Sequence, residues 1–121
     1  MNEQSQNTPL IYHNPRCSKS RATLELLRAR GIEPTVVEYL NTPPTRADLE
    51  HVLDLLGLEP RALMRRQEEE YRALNLDNPD LTRNALIDAM VAYPRLIERP
   101  IVISGGKAAL GRPPERVLGI L

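Results

Sequence analysis

The sequence predicts an α/β fold in which a βαβ unit and a ββα unit are separated by a helical insertion. Three observations predict it. A short apolar run, a helical stretch and a β-branched run follow one another between Leu10 and Tyr39. From about Thr45 to Ile97 the chain carries helical patterns broken by prolines. From Ile101 onward come a continuous apolar run, a Gly-Gly turn, a second short run and a last apolar face at helical spacing.

Leu10–Tyr12 is short and apolar and reads as the first strand. Ser18–Arg30 reads as a helix with Ala22, Leu24, Leu26, Leu27 and Ala29 as its apolar content, and Gly31 suits the left-handed residue that ends it. Thr35–Tyr39 is rich in β-branched residues and reads as a second strand. A strand, a helix of this length and a strand make a right-handed unit with parallel strands. Asn41-Thr42-Pro43-Pro44 breaks the chain. Thr45-Arg46-Ala47-Asp48 has the form of a capping box, and Leu49, Val52, Leu53 and Leu56 follow on one helix face up to Gly57. Pro60 to about Leu74 is helical in composition, with Glu68–Glu70 read as a solvated face. Asp80 or Thr82 caps a further helix with Leu86, Ala89, Met90 and Tyr93 on its face, stopped by Pro94. Ile101-Val102-Ile103 reads as a buried central strand, Gly105-Gly106 as a hairpin turn and Lys107–Leu110 as the returning strand. Pro114, Val117, Leu118 and Leu121 make the face of a terminal helix. This is the thioredoxin-like order. Residues 1–8 are polar and expected to be a flexible terminus. Residues 9–121 are expected to form a single domain with the insertion at about 45–97.

Composition narrows the function. Lys+Arg and Asp+Glu are both 16 in 121 residues, so there is no bulk charge for nucleic acid, though a local basic cluster can hold a small anion. Phe and Trp are absent, which removes a platform for stacking bases. No apolar run approaches the ~20 residues that span a membrane. A single cysteine and no secretory signal point to a reducing, cytoplasmic setting.

That cysteine, Cys17, falls where the turn after the first strand enters a helix. A lone cysteine is most often a small buried hydrophobe. Here every residue from His13 to Arg21 except Pro15 and Cys17 is polar or charged, which argues for an accessible, reactive thiol. The helix N-terminus and Arg16, Lys19 and Arg21 favour its anion. With no second cysteine, any redox cycle must borrow an external thiol. Arg65, Arg99 and Arg112 carry planar forks of donors suited to an oxyanion. Arg99 and Arg112 flank the predicted hairpin, whereas spacing leaves the placement of Arg65 open. His13 either tunes the thiol or caps the strand. Ser20 completes a Cys-x-x-Ser pattern, and its hydroxyl is placed either to donate to the thiolate or to bond a helix N–H. Pro100 stands where thioredoxin-like folds place a proline beside the thiol, often after a cis bond.

Ile11-Tyr12-His13-Asn14-Pro15-x-Cys17 followed by Ser20-Arg21 resembles the glutaredoxin-dependent arsenate reductases of bacteria, the ArsC-type family. So do Tyr39-Leu40-x-Thr42-Pro43-Pro44-Thr45, Arg61-Ala62-Leu63-x-Arg65, Leu86-Ile87-Asp88, Arg99-Pro100-Ile101-Val102 and Arg112-Pro113. The resemblance runs from about Leu10 to Leu121. It implies a thioredoxin-like fold with an inserted helical subdomain, and Cys17 as the thiolate that attacks arsenate. It also implies Arg65, Arg99 and Arg112 as oxyanion ligands, with His13 and Ser20 supporting a low thiol pKa. Glutathione is then the co-substrate and glutaredoxin the partner that releases arsenite, with no tightly bound cofactor, no metal, and neither nucleic acid nor membrane as partner. A cytoplasmic monomer is expected. Arg16 and Ser18-Lys19 depart from well-known members and resemble a shorter subgroup, related to the Spx proteins. Two alternatives follow: an Spx-like transcriptional regulator without enzymatic activity, or a glutathione-linked thiol reductase acting on another substrate. The oxidation switch of Spx proteins is Cys-x-x-Cys, and here the second position is Ser20.

Overall fold

The computed structural model describes residues 8–121. The segment expected to be flexible, residues 1–8, lies outside the described residues apart from Thr8. The chain divides into two compact units, Met1–Thr42 with Arg99–Leu121, and Pro43–Glu98.

The first unit contains β1 (Leu10–His13), α1 (Ser18–Ala29), β2 (Thr35–Glu38), β3 (Ile101–Ser104) and β4 (Lys107–Leu110), and ends in a 3₁₀ helix over Pro114–Ile120. The sheet order is β2-β1-β3-β4. β1 and β2 are parallel, with His13 opposite Glu38. β1 and β3 are antiparallel, with Ile11 opposite Val102. β3 and β4 form the expected hairpin, with Gly105 and Gly106 at φ 57° and 77° in its turn. Ile11, Leu24, Leu27, Val102 and Val117 make the core, and Val36, Ala109, Ile32 and Ile120 pack against them. Burying each of the core side chains Ile11, Leu24, Leu27, Val102 and Val117 stabilises the unit by about 1.5–3 kcal/mol. α1 ends in a Schellman arrangement. The N–H of Ile32 donates to Leu27 O at 3.0 Å and that of Gly31 to Arg28 O at 2.9 Å, with Gly31 at φ 78°.

The last element differs from the expected α-helix. A 3₁₀ helix repeats every three residues, so Pro114, Val117 and Ile120 share a face. Val117 and Ile120 therefore reach the core, while Leu121 is left exposed.

The second unit contains α2 (Arg46–Leu56), α3 (Glu69–Ala73) and α4 (Arg83–Ala92), with 3₁₀ turns at Pro60–Leu63 and Pro94–Leu96. The capping box at α2 is complete: Thr45 Oγ1 accepts from Asp48 N–H and Asp48 Oδ2 from Thr45 N–H. Thr82 is the cap of α4, accepting from Ala85 N–H at 3.1 Å. Leu49, Val52, Leu53, Leu86, Ile87 and Met90 are buried.

Three expectations are corrected in this unit. Pro60–Leu74 is not one helix. Met64 is extended and pairs with Ile97, while Arg65 N–H donates to Leu96 O at 2.7 Å and Glu98 N–H to Leu63 O at 2.8 Å. Those backbone bonds compete with a continuous helix and split it. Glu68 and Glu70 are not a solvated face: they are largely shielded and ion-paired, Glu68 with Arg65 and Arg95, and Glu70 with Arg95. Tyr93 leaves the face of α4 and is exposed, because the residue before a proline is driven out of helical conformation. Ile87, fully buried, takes a place on the packed face instead.

Candidate active site

Cys17 is the N-cap of α1, and the turn before it is built around Asn14. Cys17 N–H donates to Asn14 O at 3.0 Å, and Arg16 N–H to Asn14 Oδ1 at 3.0 Å. Arg21 reaches back from α1 so that its Nη1 donates to Pro15 O at 2.9 Å. The loop is thus closed by its own first residue and by the helix it enters. No side-chain oxygen caps α1. The sulfur occupies that end of the helix, where N–H groups lack intrahelical partners.

The thiol is partly exposed and its pKa lies below the ordinary cysteine value. Burial is the largest single influence and pushes the pKa up. The Ser20 N–H, the charge of Arg99, the Lys19 N–H and a hydrogen bond from the Arg99 guanidinium together outweigh it. Each favours the anion by donating to it or by opposite charge. A thiolate is the nucleophile that a thiol is not.

Arg99 precedes Pro100 through a cis peptide bond, and Arg112 precedes Pro113 through another. Nη1 of Arg112 donates to Arg99 O at 3.2 Å, so the second guanidinium is anchored on the backbone of the first. Pro100 is buried, and its O accepts from Gly111 N–H at 2.9 Å. Gly111 has a steric reason to be glycine. A Cβ there would lie 2.4 Å from Thr23 Oγ1 and 2.8 Å from Pro100 Cγ.

His13 and Ser20 form a pair rather than two separate supports of the sulfur. Ser20 is fully buried, and its Oγ lies 2.7 Å from His13 Nδ1. The same oxygen accepts from Asn14 N–H at 3.0 Å. Oγ keeps both a proton for a bare Nδ1 and a second lone pair for an Nδ1–H, so the pair accommodates either neutral tautomer of His13. Burial, the leading cause, lowers the His13 pKa; Glu38 acts against it, and Arg28 and Arg21 with it. Ser20 therefore serves the thiol through its backbone N–H, while its hydroxyl ties β1, the turn and α1 together.

Cys17, Arg99, Arg112, Pro100, His13 and Ser20 all lie in the first unit. Arg65 lies in the second, where it is held by Glu68 and, at 3.6 Å, by Glu98. The sequence reading did not single out Asn14 or Gly111. Asn14-Pro15 is a turn-forming dipeptide and offered a signal. Gly111 offered none, because its neighbours come from α1 and from the start of β3.

The chain matches the ArsC family model over residues 12–120. It is 56% identical to YfgD of Escherichia coli, a protein described as uncharacterised, covering 92% of this chain and 94% of that one. It is 51% identical to the arsenate reductase of Neisseria meningitidis, covering 92% and 96%. The solved structure of the arsenate reductase from Vibrio cholerae superposes with a TM-score of 0.92 at 54% identity, over 93% of this chain and 97% of that one. With the thioredoxin-like sheet and the capped thiol already in place, the match over nearly the whole described chain makes this protein a member of the ArsC family.

Proposed function

We propose that this protein reduces arsenate to arsenite through a thiol–arsenate adduct on Cys17, with glutathione and glutaredoxin as reductants. The observation that carries the reading is a helix-capping thiol of lowered pKa, hydrogen-bonded by Arg99, whose backbone in turn holds the Arg112 guanidinium. Family membership and the names of the relatives support it.

In this reaction the Cys17 thiolate attacks arsenic, forming an S–As bond, and one oxygen leaves as water after taking up protons. Arg99 stabilises the thiolate before attack and the oxyanion after it, and Arg112 supplies a second fork of donors. Reduction of As(V) to As(III) takes two electrons. Glutathione supplies one thiol and glutaredoxin the second. Glutathione's thiol adds to arsenic as a second oxygen leaves as water, and the glutaredoxin thiolate then takes the glutathione sulfur, so these two end as a disulfide and their electron pair stays on arsenic. Water cleaves the remaining S–As bond, arsenite leaves, and Cys17 is returned as a thiol. No second cysteine of this chain is needed. The cycle depends on reduced glutathione, which fits a cytoplasmic setting. The role of Arg65 as a third ligand rests on the family resemblance. Arg65→Lys tests it, because lysine cannot reproduce the bidentate fork.

The experiment is arsenate-dependent NADPH oxidation by the purified protein with glutathione, glutaredoxin and glutathione reductase. Turnover that vanishes in Cys17→Ser is expected. A folded wild-type protein that gives no arsenate-dependent turnover would overturn the reading.

A further inference from the structure

Beside the thiol loop lies a cavity of about 320 Å³ whose walls include His13, Pro15, Arg16, Glu38, Leu40 and Asn41. Its size falls within the range of small-molecule sites, about 300–1,000 Å³. The His13 side chain is the built part of this wall. The residue is only 5% exposed and lines the cavity, and its Nδ1 is paired with Ser20 Oγ, so Nε2 is the ring nitrogen left for a ligand. Directly opposite in the strand register stands Glu38. Its Oε1 accepts from Asn41 Nδ2 at 3.2 Å, which orients the carboxylate and leaves Oε2 for a cation. Arg16 brings a guanidinium to the exposed side, and Pro15 and Leu40 add apolar surface.

One small cavity therefore presents an anion, an imidazole nitrogen and a cation. A simple anion would meet Glu38 and a simple cation would meet Arg16. A group carrying both an ammonium and a carboxylate satisfies all three, and the head of an α-amino acid is such a group. The cavity also shares its wall with the nucleophile. Arg16 is bonded directly to Cys17, their Cα atoms about 3.8 Å apart, and Asn14 O accepts from Cys17 N–H. A ligand about three residues long extends roughly 10 Å, enough to seat its head here and reach the sulfur.

We propose that this cavity binds the zwitterionic γ-glutamyl head of glutathione, with the ammonium on Glu38 and the carboxylate on His13 Nε2–H and Arg16. The assignment rests on the proposed use of glutathione as co-substrate. The site is one of binding, so it is tested with a ligand that cannot react.

S-methylglutathione is titrated into the full-length protein and followed by amide NMR shifts. Saturable shifts at Asn14, Arg16 and Asn41 are expected. Binding should weaken about tenfold or more in Glu38→Gln and in Arg16→Ala, as expected for losing a charge-assisted hydrogen bond. S-methylcysteinylglycine, which lacks the head, should leave those amides unmoved. Both substituted side chains are exposed, and Arg16→Ala stands as the second variant if Glu38→Gln disturbs the strand. Failure of S-methylglutathione to move these amides, or binding unchanged in both variants, would overturn the assignment. Free glutamate binding as tightly as S-methylglutathione would also overturn it, by giving the cavity to a free amino acid. Binding as described in a protein that does not turn arsenate over would sink the reaction and leave the cavity assignment standing. Arsenate turnover with an unchanged KM for glutathione in Glu38→Gln would do the reverse.

Discussion

Replacing Gly111 by alanine should injure both the fold and the thiol, and the size of the effect follows from three contacts. The added Cβ would sit 2.4 Å from Thr23 Oγ1, 2.8 Å from Pro100 Cγ and 3.2 Å from Thr23 Cγ2. The first is about 1 Å closer than carbon and its neighbours pack without repulsion. Thr23 cannot swing aside without cost, because its hydroxyl donates to Lys19 O at 2.8 Å within α1. Pro100 has no torsion with which to retreat. Overpacking of this kind costs about 1–3 kcal/mol, and breaking the Thr23 hydrogen bond adds about 1 kcal/mol. The expected total is about 2–4 kcal/mol, or a fall in Tm of roughly 10–15 °C for a chain of this size. Thermal unfolding followed by circular dichroism measures it. Gly119→Ala is the control, since nothing lies within 4 Å of a Cβ there, and it should be neutral. Adding Thr23→Ala to Gly111→Ala removes two of the three contacts and should restore about half of the loss. Because Pro100 follows Arg99, the variant should also raise the pH midpoint for alkylation of Cys17. A Tm for Gly111→Ala within about 2 °C of wild type, or no coupling to Thr23, would refute the reasoning.

Other outcomes follow from the same geometry. The alkylation midpoint of wild-type Cys17 should lie below about 8.5, and Arg99→Ala should raise it; a midpoint unmoved by that change would remove Arg99 from the thiolate. Stability should rise with pH in two windows, because both Cys17 and His13 have lowered pKa values in the fold, so the unfolded chain holds more protons. The Cys17 contribution is complete above about pH 8.5 and is lost as pH falls through the folded value. The His13 effect appears as pH drops below about 6.5 toward its folded value, where only the unfolded imidazole takes up a proton. Urea midpoints against pH for wild type, Cys17→Ser and His13→Asn separate the two, each variant flattening its own window. Ser20→Ala should cost about 1–3 kcal/mol, since it strands His13 Nδ1 and Asn14 N–H in a buried place, and an unchanged urea midpoint would contradict that network.

Features set by neighbours along the chain were legible in the sequence. The box of Thr45 and Asp48, the glycine ends at Gly31 and Gly57, and the position of Cys17 at a helix start depend on a few adjacent residues. The alternation of a strand, a helix and a strand needed only hydrophobic period. What escaped depends on distant partners or on the choice between two helical periods. Val117 and Ile120 share a face only when the turn tightens to three residues. Met64 becomes extended because Ile97 is there to pair with it. Glu68 looks like a solvated residue until Arg65 and Arg95 close on it. In the site, the sequence pointed to Cys17, Arg99 and Arg112, and the structure brings Arg99 to the thiol and Arg112 to the backbone of Arg99. The sequence did not show that Ser20 Oγ belongs to His13, because those residues meet only when β1 and α1 are packed.

The sheet order carries a further cost for the nascent chain. β1 is the inner strand of the parallel pair and also the partner of β3, and the whole helical unit lies in sequence between β2 and β3. Joining β1 to β3 therefore closes a very long loop, whose entropy must be met before any of its contacts form. Chains dominated by such distant pairings fold slowly. The β1–α1–β2 segment closes only short loops and leaves the ribosome before β3, yet without β3 it exposes one edge of β1. Until β3 docks, that edge is open to pairing with the strand of another chain.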